Sequence, residues 1–123
     1  MPDRTLADCR VLIAEDEYML ADDLRMELED IGAVILGPVG TLKDIIALIE
    51  REEVIDGVIL DVNLRGEMVF PAADLLLERQ VPFVFTTGYD ASTIPPRYSH
   101  IIRCEKPVNI RLVTQALGRL IHE

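Results

Sequence analysis

Val58-Ile59-Leu60-Asp61-Val62-Asn63 is a short apolar run that meets a carboxylate abruptly. A strand buried on both faces of a parallel sheet reads as a continuous hydrophobic run. In open α/β sheets, ligands sit beyond the carboxyl ends of such strands, which is where Asp61 falls. An earlier run, Val11-Leu12-Ile13-Ala14, ends in the same way on Glu15-Asp16. If the two runs are strands of one parallel sheet, their acidic ends meet.

The sequence around these runs alternates strand and helix signals. Residues 1–9 read as a polar leader. Leu20, Leu24, Leu28 and Ile31 follow the i, i+4, i+8, i+11 stripe of an amphipathic helix from about Tyr18 to Asp30, and Gly32 stops it. Val34-Ile35-Leu36 is a second strand that Gly37-Pro38 ends. Thr41 caps a second helix, with Asp44 in its first turn and Leu42, Ile45, Ile46 and Ile49 on its buried side. Asp56-Gly57 is a turn, Val58–Leu60 the third strand, and Leu64-Arg65-Gly66-Glu67 a loop. A third helix runs to about Arg79 with Pro71 in its first turn. Residues 82–86 are the fourth strand. Pro95-Pro96 permit only a short or weak fourth helix. Residues 100–104 are the fifth strand, and Asn109 caps a last helix from Ile110 to Ile121. This alternation implies right-handed βαβ crossovers and a parallel sheet.

Composition narrows the class. The 123 residues fit one domain with one aliphatic core, since half are hydrophobic and 5% aromatic. Acidic residues outnumber basic ones 22 to 12, for a net charge of -10. That disfavours binding to nucleic acid or to an anionic membrane, and permits a divalent cation and a basic partner face. No apolar run approaches the roughly 18 residues of a membrane span, and no signal peptide opens the chain, so a cytoplasmic protein is expected. Cys9 and Cys104 lack metal-ligand spacing and read as reduced, small core residues. His100 and His122 are isolated and read as surface or core residues.

The strand ends carry the chemistry. The first strand delivers Glu15 and Asp16, the third Asp61, the fourth Thr87, and the fifth leads to Lys106. Three converging carboxylates repel one another unless a cation or Lys106 offsets them. Carboxylate oxygens suit Mg²⁺. A carboxylate can attack phosphorus to form an aspartyl phosphate. The charge on the transferred oxygens then calls for a cation, an ammonium and a hydroxyl, which Mg²⁺, Lys106 and Thr87 would supply.

Four motifs, residues 11–17 (VLIAEDE), 58–64 (VILDVNL), 85–88 (FTTG) and 105–107 (EKP), resemble in order and separation the receiver domain of two-component response regulators. The likeness spans nearly the whole chain. It implies a flavodoxin-like five-stranded parallel sheet of order 2-1-3-4-5 with helices on both faces. It further implies that Asp61 is the phosphoacceptor and that Asp16 holds Mg²⁺ directly, with Glu15 acting through water and the Asn63 main-chain carbonyl as a further ligand. Lys106 would contact the phosphoryl group and Thr87 would be the switch hydroxyl. The donor would be the phosphohistidine of a sensor kinase or phosphotransfer protein, and the protein a regulator that assists its own phosphorylation and dephosphorylation.

Two departures stand out. Arg103 occupies the position, three before the lysine, where many receivers have Tyr or Phe. Residues 82–89 (PFVFTTGY) are similar to a subgroup of stand-alone receivers with a Phe-Ala-Thr-Gly-type signature, which lacks that aromatic and pairs with atypical sensor kinases; Thr86 stands in place of the Ala. Tyr89 is expected to shield the phosphoryl group and slow its hydrolysis. If residue 123 ends the protein, output is expected through protein contact on the side of the fourth and fifth strands, where the weak helix could order or disorder, or through consumption of phosphoryl groups. A haloacid-dehalogenase-like phosphotransferase or phosphatase is the alternative, but it wants an Asp where Asn63 stands. A flavin or nucleotide binder would want a Gly- or Ser/Thr-rich loop where Glu15-Asp16-Glu17 stands.

Overall fold

The computed structural model describes residues 6–88 and 94–123. In chain order the elements are β1 (Arg10–Ala14), α1 (Tyr18–Asp30), β2 (Val34–Val39), α2 (Leu42–Arg51), β3 (Gly57–Asp61), β4 (Asn63–Leu64), β5 (Glu67–Met68), α3 (Phe70–Glu78), β6 (Phe83–Thr87), a 3-10 turn at Pro96–Tyr98, β7 (Arg103–Glu105) and α4 (Ile110–Ile121). Five strands pair in the order β2-β1-β3-β6-β7, every pair parallel. With the β4–β5 hairpin set aside, this is the expected order 2-1-3-4-5. The chain leaves β1 toward β2 on one side and returns to β3 on the other. The carboxyl ends of β1 and β3 therefore flank the point where the winding reverses, which is where such sheets hold ligands.

Strand alternation builds two cores. Leu12, Leu60, Phe83 and Phe85 pack under α2 and α3, while Val11, Ile13, Ile59 and Val84 pack under α1 and α4. Every residue of β3 and β6 is buried, as a doubly covered strand requires. Gly57 is the first residue of β3, not part of a turn. A Cβ there would lie 2.8 Å from Ile121 Cδ1 and 3.0 Å from Leu117 Cδ1, so the glycine lets α4 lie close to the sheet. Thr41 and Asn109 cap α2 and α4 by accepting from the Asp44 and Leu112 amides.

Several expectations shift. Leu6, inside the stretch read as a polar leader, is buried under α1 with Leu24 and Leu28. β2 continues through Gly37-Pro38 to Val39, by way of a register shift between Leu12 and Ala14 and a positive φ at Gly37. The fifth strand forms at Arg103–Glu105, sharing only Arg103 and Cys104 with the expected 100–104. Residues 100–102 instead link the 3-10 turn to the strand, with the Ile101 amide donating to the Tyr98 carbonyl. Residues 64–67, read as a loop, join β4 to β5, where Asn63 pairs with Met68 and Leu64 with Glu67. Arg65 and Gly66 have φ of 53° and 89°, as a type I′ hairpin turn demands.

Both sheet edges are blunted. β2 carries Pro38, which has no amide to offer, and β7 is three residues long with Arg103 and Glu105 exposed.

Candidate functional site

Main-chain bonds fix the strand ends before any side chain is considered. The Glu15 amide donates to Val39 O (2.9 Å), Val62 to Thr86 O (3.0 Å) and Lys106 to Thr87 O (2.8 Å). Glu15, Asp61, Thr87 and Lys106 are thereby gathered at one edge of the sheet, as the strand alternation predicts. Gly40 lets the loop after β2 approach: a Cβ there would be 3.2 Å from Asp16 Cα.

Glu15 and Asp61 are buried, each about 3% exposed. Lys106 Nζ donates to Asp61 Oδ2 at 2.8 Å and to Glu15 Oε2 at 3.3 Å. Asp61 Oδ1 accepts from the Asn63 amide (3.2 Å), and Glu15 Oε2 from the Glu17 amide (3.0 Å). Asp16 Oδ2 accepts from the Arg65 amide at 3.0 Å, so the hairpin turn steadies it. The Asn63 side chain accepts from Gly66 N at 2.7 Å and thus builds the same turn. Thr87 is buried at the end of β6. A cleft of about 700 Å³ opens over the group, lined by Asp16, Glu17, Asp61, Asn63, Arg65, Gly66, Gly88 and Lys106.

The electrostatics follow from burial and crowding. Desolvation first, then the charge of Asp61 and a hydrogen bond with it, push the Glu15 carboxyl up to about 8, against the opposing pull of the Glu17 amide and Lys106. Burial alone would lower Lys106, but its hydrogen bond to Asp61 and the two acidic charges outweigh that and raise it. Burial beside Asp61 thus makes Glu15 slow to ionise, while the two acids favour the charged form of Lys106.

Carboxylate oxygens of Glu15, Asp16 and Asp61 lie within 4.8 Å of one another. An octahedral Mg²⁺, with oxygens at about 2.1 Å, spans about 4.2 Å from ligand to ligand. Glu15 Oε1 is buried without a hydrogen-bond partner among the described residues, as an acceptor facing a cation or its water would be. Donor type, spacing and the unpaired acceptor all fit a divalent cation.

Other expected residues fall as follows. Arg103 is exposed on β7, beside Phe85 of β6. Tyr89 lies outside the described residues. His100 is exposed, and Cys9 and Cys104 are free thiols whose pKa burial raises. Tyr98, near this end of the fold, carries no mark in the sequence. Tyr98 is wholly buried, stacked on Phe70 at 5.3 Å and edge-on to Phe85 at 5.7 Å, with its hydroxyl donating to Phe70 O (3.1 Å) and to Asp74. Thr86 Oγ1, directly across from Asp61 on the neighbouring strand, is buried without a hydrogen-bond partner among the described residues. No helix among the described residues is long and apolar enough to cross a membrane.

No protein-family model and no curated protein matches the chain. Solved structures do. SdrG from Sphingomonas melonis Fr1, in solution, is 36% identical with a TM-score of 0.79, covering 93% of this chain and 97% of that one. The BeF3-activated conformation of SdrG, from Pseudomonas melonis Fr1, is 36% identical at TM-score 0.74 and covers 94% and 98%. A response regulator receiver protein from Sinorhizobium medicae WSM419 is 25% identical at TM-score 0.80 and covers 96% and 98%. A doubly wound sheet with an acidic cleft at its switch point is the plan of a signalling receiver. The chain belongs to the response regulator receiver family.

Proposed function

We propose that this receiver takes a phosphoryl group onto Asp61 from the phosphohistidine of a sensor kinase or phosphotransfer protein, with Mg²⁺, and signals by protein contact. The observation that carries the reading is the arrangement of Asp61. It is a buried carboxylate at a strand end, 2.8 Å from Lys106 Nζ and within 4.8 Å of Glu15 and Asp16 carboxylate oxygens. Asp16, Asp61 and the Asn63 main-chain carbonyl would hold Mg²⁺ directly and Glu15 through water; the chemistry it supplies is neutralisation of charge on the phosphoryl oxygens.

In the transfer, an Asp61 carboxylate oxygen forms a bond to phosphorus as the bond from phosphorus to the donor nitrogen breaks. The electron pair leaves with the imidazole, which takes a proton from solvent. Lys106 then turns from Asp61 toward a phosphoryl oxygen, keeping its charge within the buried site. The Thr87 hydroxyl moves toward the same group. The contact surface is the side formed by β6, the 3-10 turn and β7. SdrG has been solved in a BeF3-activated conformation, which supports the same reading of this cleft.

A Mg²⁺-dependent phosphatase is less well supported. Asn63 stands two residues after Asp61, cannot act as an acid or base, and holds the hairpin turn through Gly66. The test is intact mass and amide shifts with Mg²⁺ and acetyl phosphate or beryllofluoride. Modification is expected in the native protein and lost in Asp61→Asn. Persistence of the modification in that variant, or turnover of phosphomonoesters, rejects the proposal.

A further inference from the structure

We infer that Arg65 binds the incoming phosphoryl group at the mouth of the acidic cleft, beside Asp61. This rests on the phosphoacceptor reading above. Two clefts adjoin at Asp16 and Arg65: the one over Asp61, and another of about 510 Å³ between α1 and the loop after β2. Three basic residues line them. Lys106 is engaged by Asp61 and Glu15. Arg25 is engaged by Asp22 at 2.6 Å and Glu29 at 2.7 Å. Arg65 is exposed, and its guanidinium makes no hydrogen bond or ion pair among the described residues.

The placement of Arg65 is constrained, and that constraint is the second observation. Its φ of 53° is one that non-glycine residues other than Asn and Asp seldom adopt. Its amide is spent on Asp16 at 3.0 Å. Gly66, following it, completes the turn with φ 89° and donates to Asn63 at 2.7 Å. The turn therefore pins the arginine's main chain to the acidic pair and leaves its side chain uncommitted at the cleft. Strained positions of this kind concentrate at functional sites.

Charge supplies the reason. A small phosphoryl donor is an anion, and it must approach a chain of net charge -10 at a cleft lined by Asp16, Glu17 and Asp61. Lys106 is already committed within. A guanidinium at the rim offsets the repulsion and offers a bidentate fork to phosphoryl oxygens. The ligand class is any donor that presents a terminal phosphoryl group.

The experiment uses acetyl phosphate and phosphoramidate with Mg²⁺, following phosphorylation of Asp61 by intact mass over a range of donor concentrations. Arg65→Gly keeps the amide to Asp16 and suits the positive φ, so it removes the side chain without straining the turn; Arg65→Lys retains the charge. Expected is a fall of about tenfold in rate at subsaturating donor for Arg65→Gly, the size of one charge-assisted contact, with partial recovery in Arg65→Lys. The affinity for Mg²⁺ alone, read by amide shifts, stays within about twofold, since no guanidinium contact to the acidic pair is lost. Arg65→Gly rates equal to the native rates overturn the inference while leaving Asp61 as acceptor. A loss fully matched by weaker Mg²⁺ binding also overturns it and makes the turn a support for Asp16 only. Native protein that takes no phosphoryl group rejects the phosphoacceptor reading, and this inference with it.

Discussion

Glu15 is where burial and charge pull hardest against each other. Its folded pKa of about 8 stands above the ordinary 4.5, because burial and Asp61 disfavour the carboxylate. The folded form therefore binds a proton that the unfolded form has released. Stability from this group is complete below 4.5, declines as pH rises between 4.5 and about 8, and levels off beyond. The decline is at most about 1.4 kcal/mol per pH unit. Glu15→Gln cannot lose that proton. Without divalent cations, urea denaturation should show the variant gaining on the native protein as pH goes from 5.5 to 8.5. Parallel pH profiles for the two would show that Glu15 titrates normally. None of this is legible in the sequence. The convergence of Glu15, Asp16, Asp61 and Lys106 could be read from strand ends alone, because a parallel sheet places all those ends on one edge. Which carboxyl is buried beside which depends on side-chain directions that a linear pattern does not contain.

Among the elements, α1, α2 and α4 carry clear marks. Apolar spacing, Gly32, and the caps Thr41 and Asn109 set their bounds almost to the residue. The β4–β5 hairpin carries none. Its two-residue strands are too short for periodicity, and an arginine rarely takes the first left-handed place of the turn. The 3-10 turn is similarly hidden, since Pro95-Pro96 announce a break without showing that Tyr98 beyond them is a core residue. Tyr98 ties this turn to α3 through Phe70 O and Asp74, while Arg97 pairs with Asp74 at 3.2 Å and lies 4.6 Å over the Tyr98 ring. Burial first, and then the bond to Asp74, push the Tyr98 hydroxyl up to about 12. Tyr98→Phe keeps the ring stack and loses the hydroxyl bonds, at an expected cost of about 1–2 kcal/mol in urea. Tyr98→Ala should cost about 3–5 kcal/mol, since it also empties the space between Phe70 and Phe85. Equal stability of native and Phe proteins would show that the hydroxyl ties nothing down.

At the scale of the whole molecule, a cation held in the acidic cleft would couple to stability. A divalent ion that binds only the folded form adds RT ln(1 + [L]/Kd), about 2.7 kcal/mol at a concentration a hundred times Kd. Thermal unfolding should therefore move up with Mg²⁺ in a concentration-dependent way. Asp16→Asn and Asp61→Asn should each flatten the response. NaCl at matched ionic strength screens the net charge of -10 but cannot bridge three carboxylates. Equal shifts from the two salts would reduce the effect to screening.

The blunted margins of the sheet bear on how the protein behaves when crowded. An open parallel sheet offers two rows of unpaired main-chain groups, the usual template for strand-to-strand aggregation. Here one row is broken by Pro38 and a register shift, and the other is only three residues long, with Arg103 and Glu105 set outward. Exposed charges at that margin, Arg103 among them, oppose such pairing. Arg103 and Glu105 leave two copies no long, flat backbone to share at that margin, which disfavours growth of one sheet onto the next.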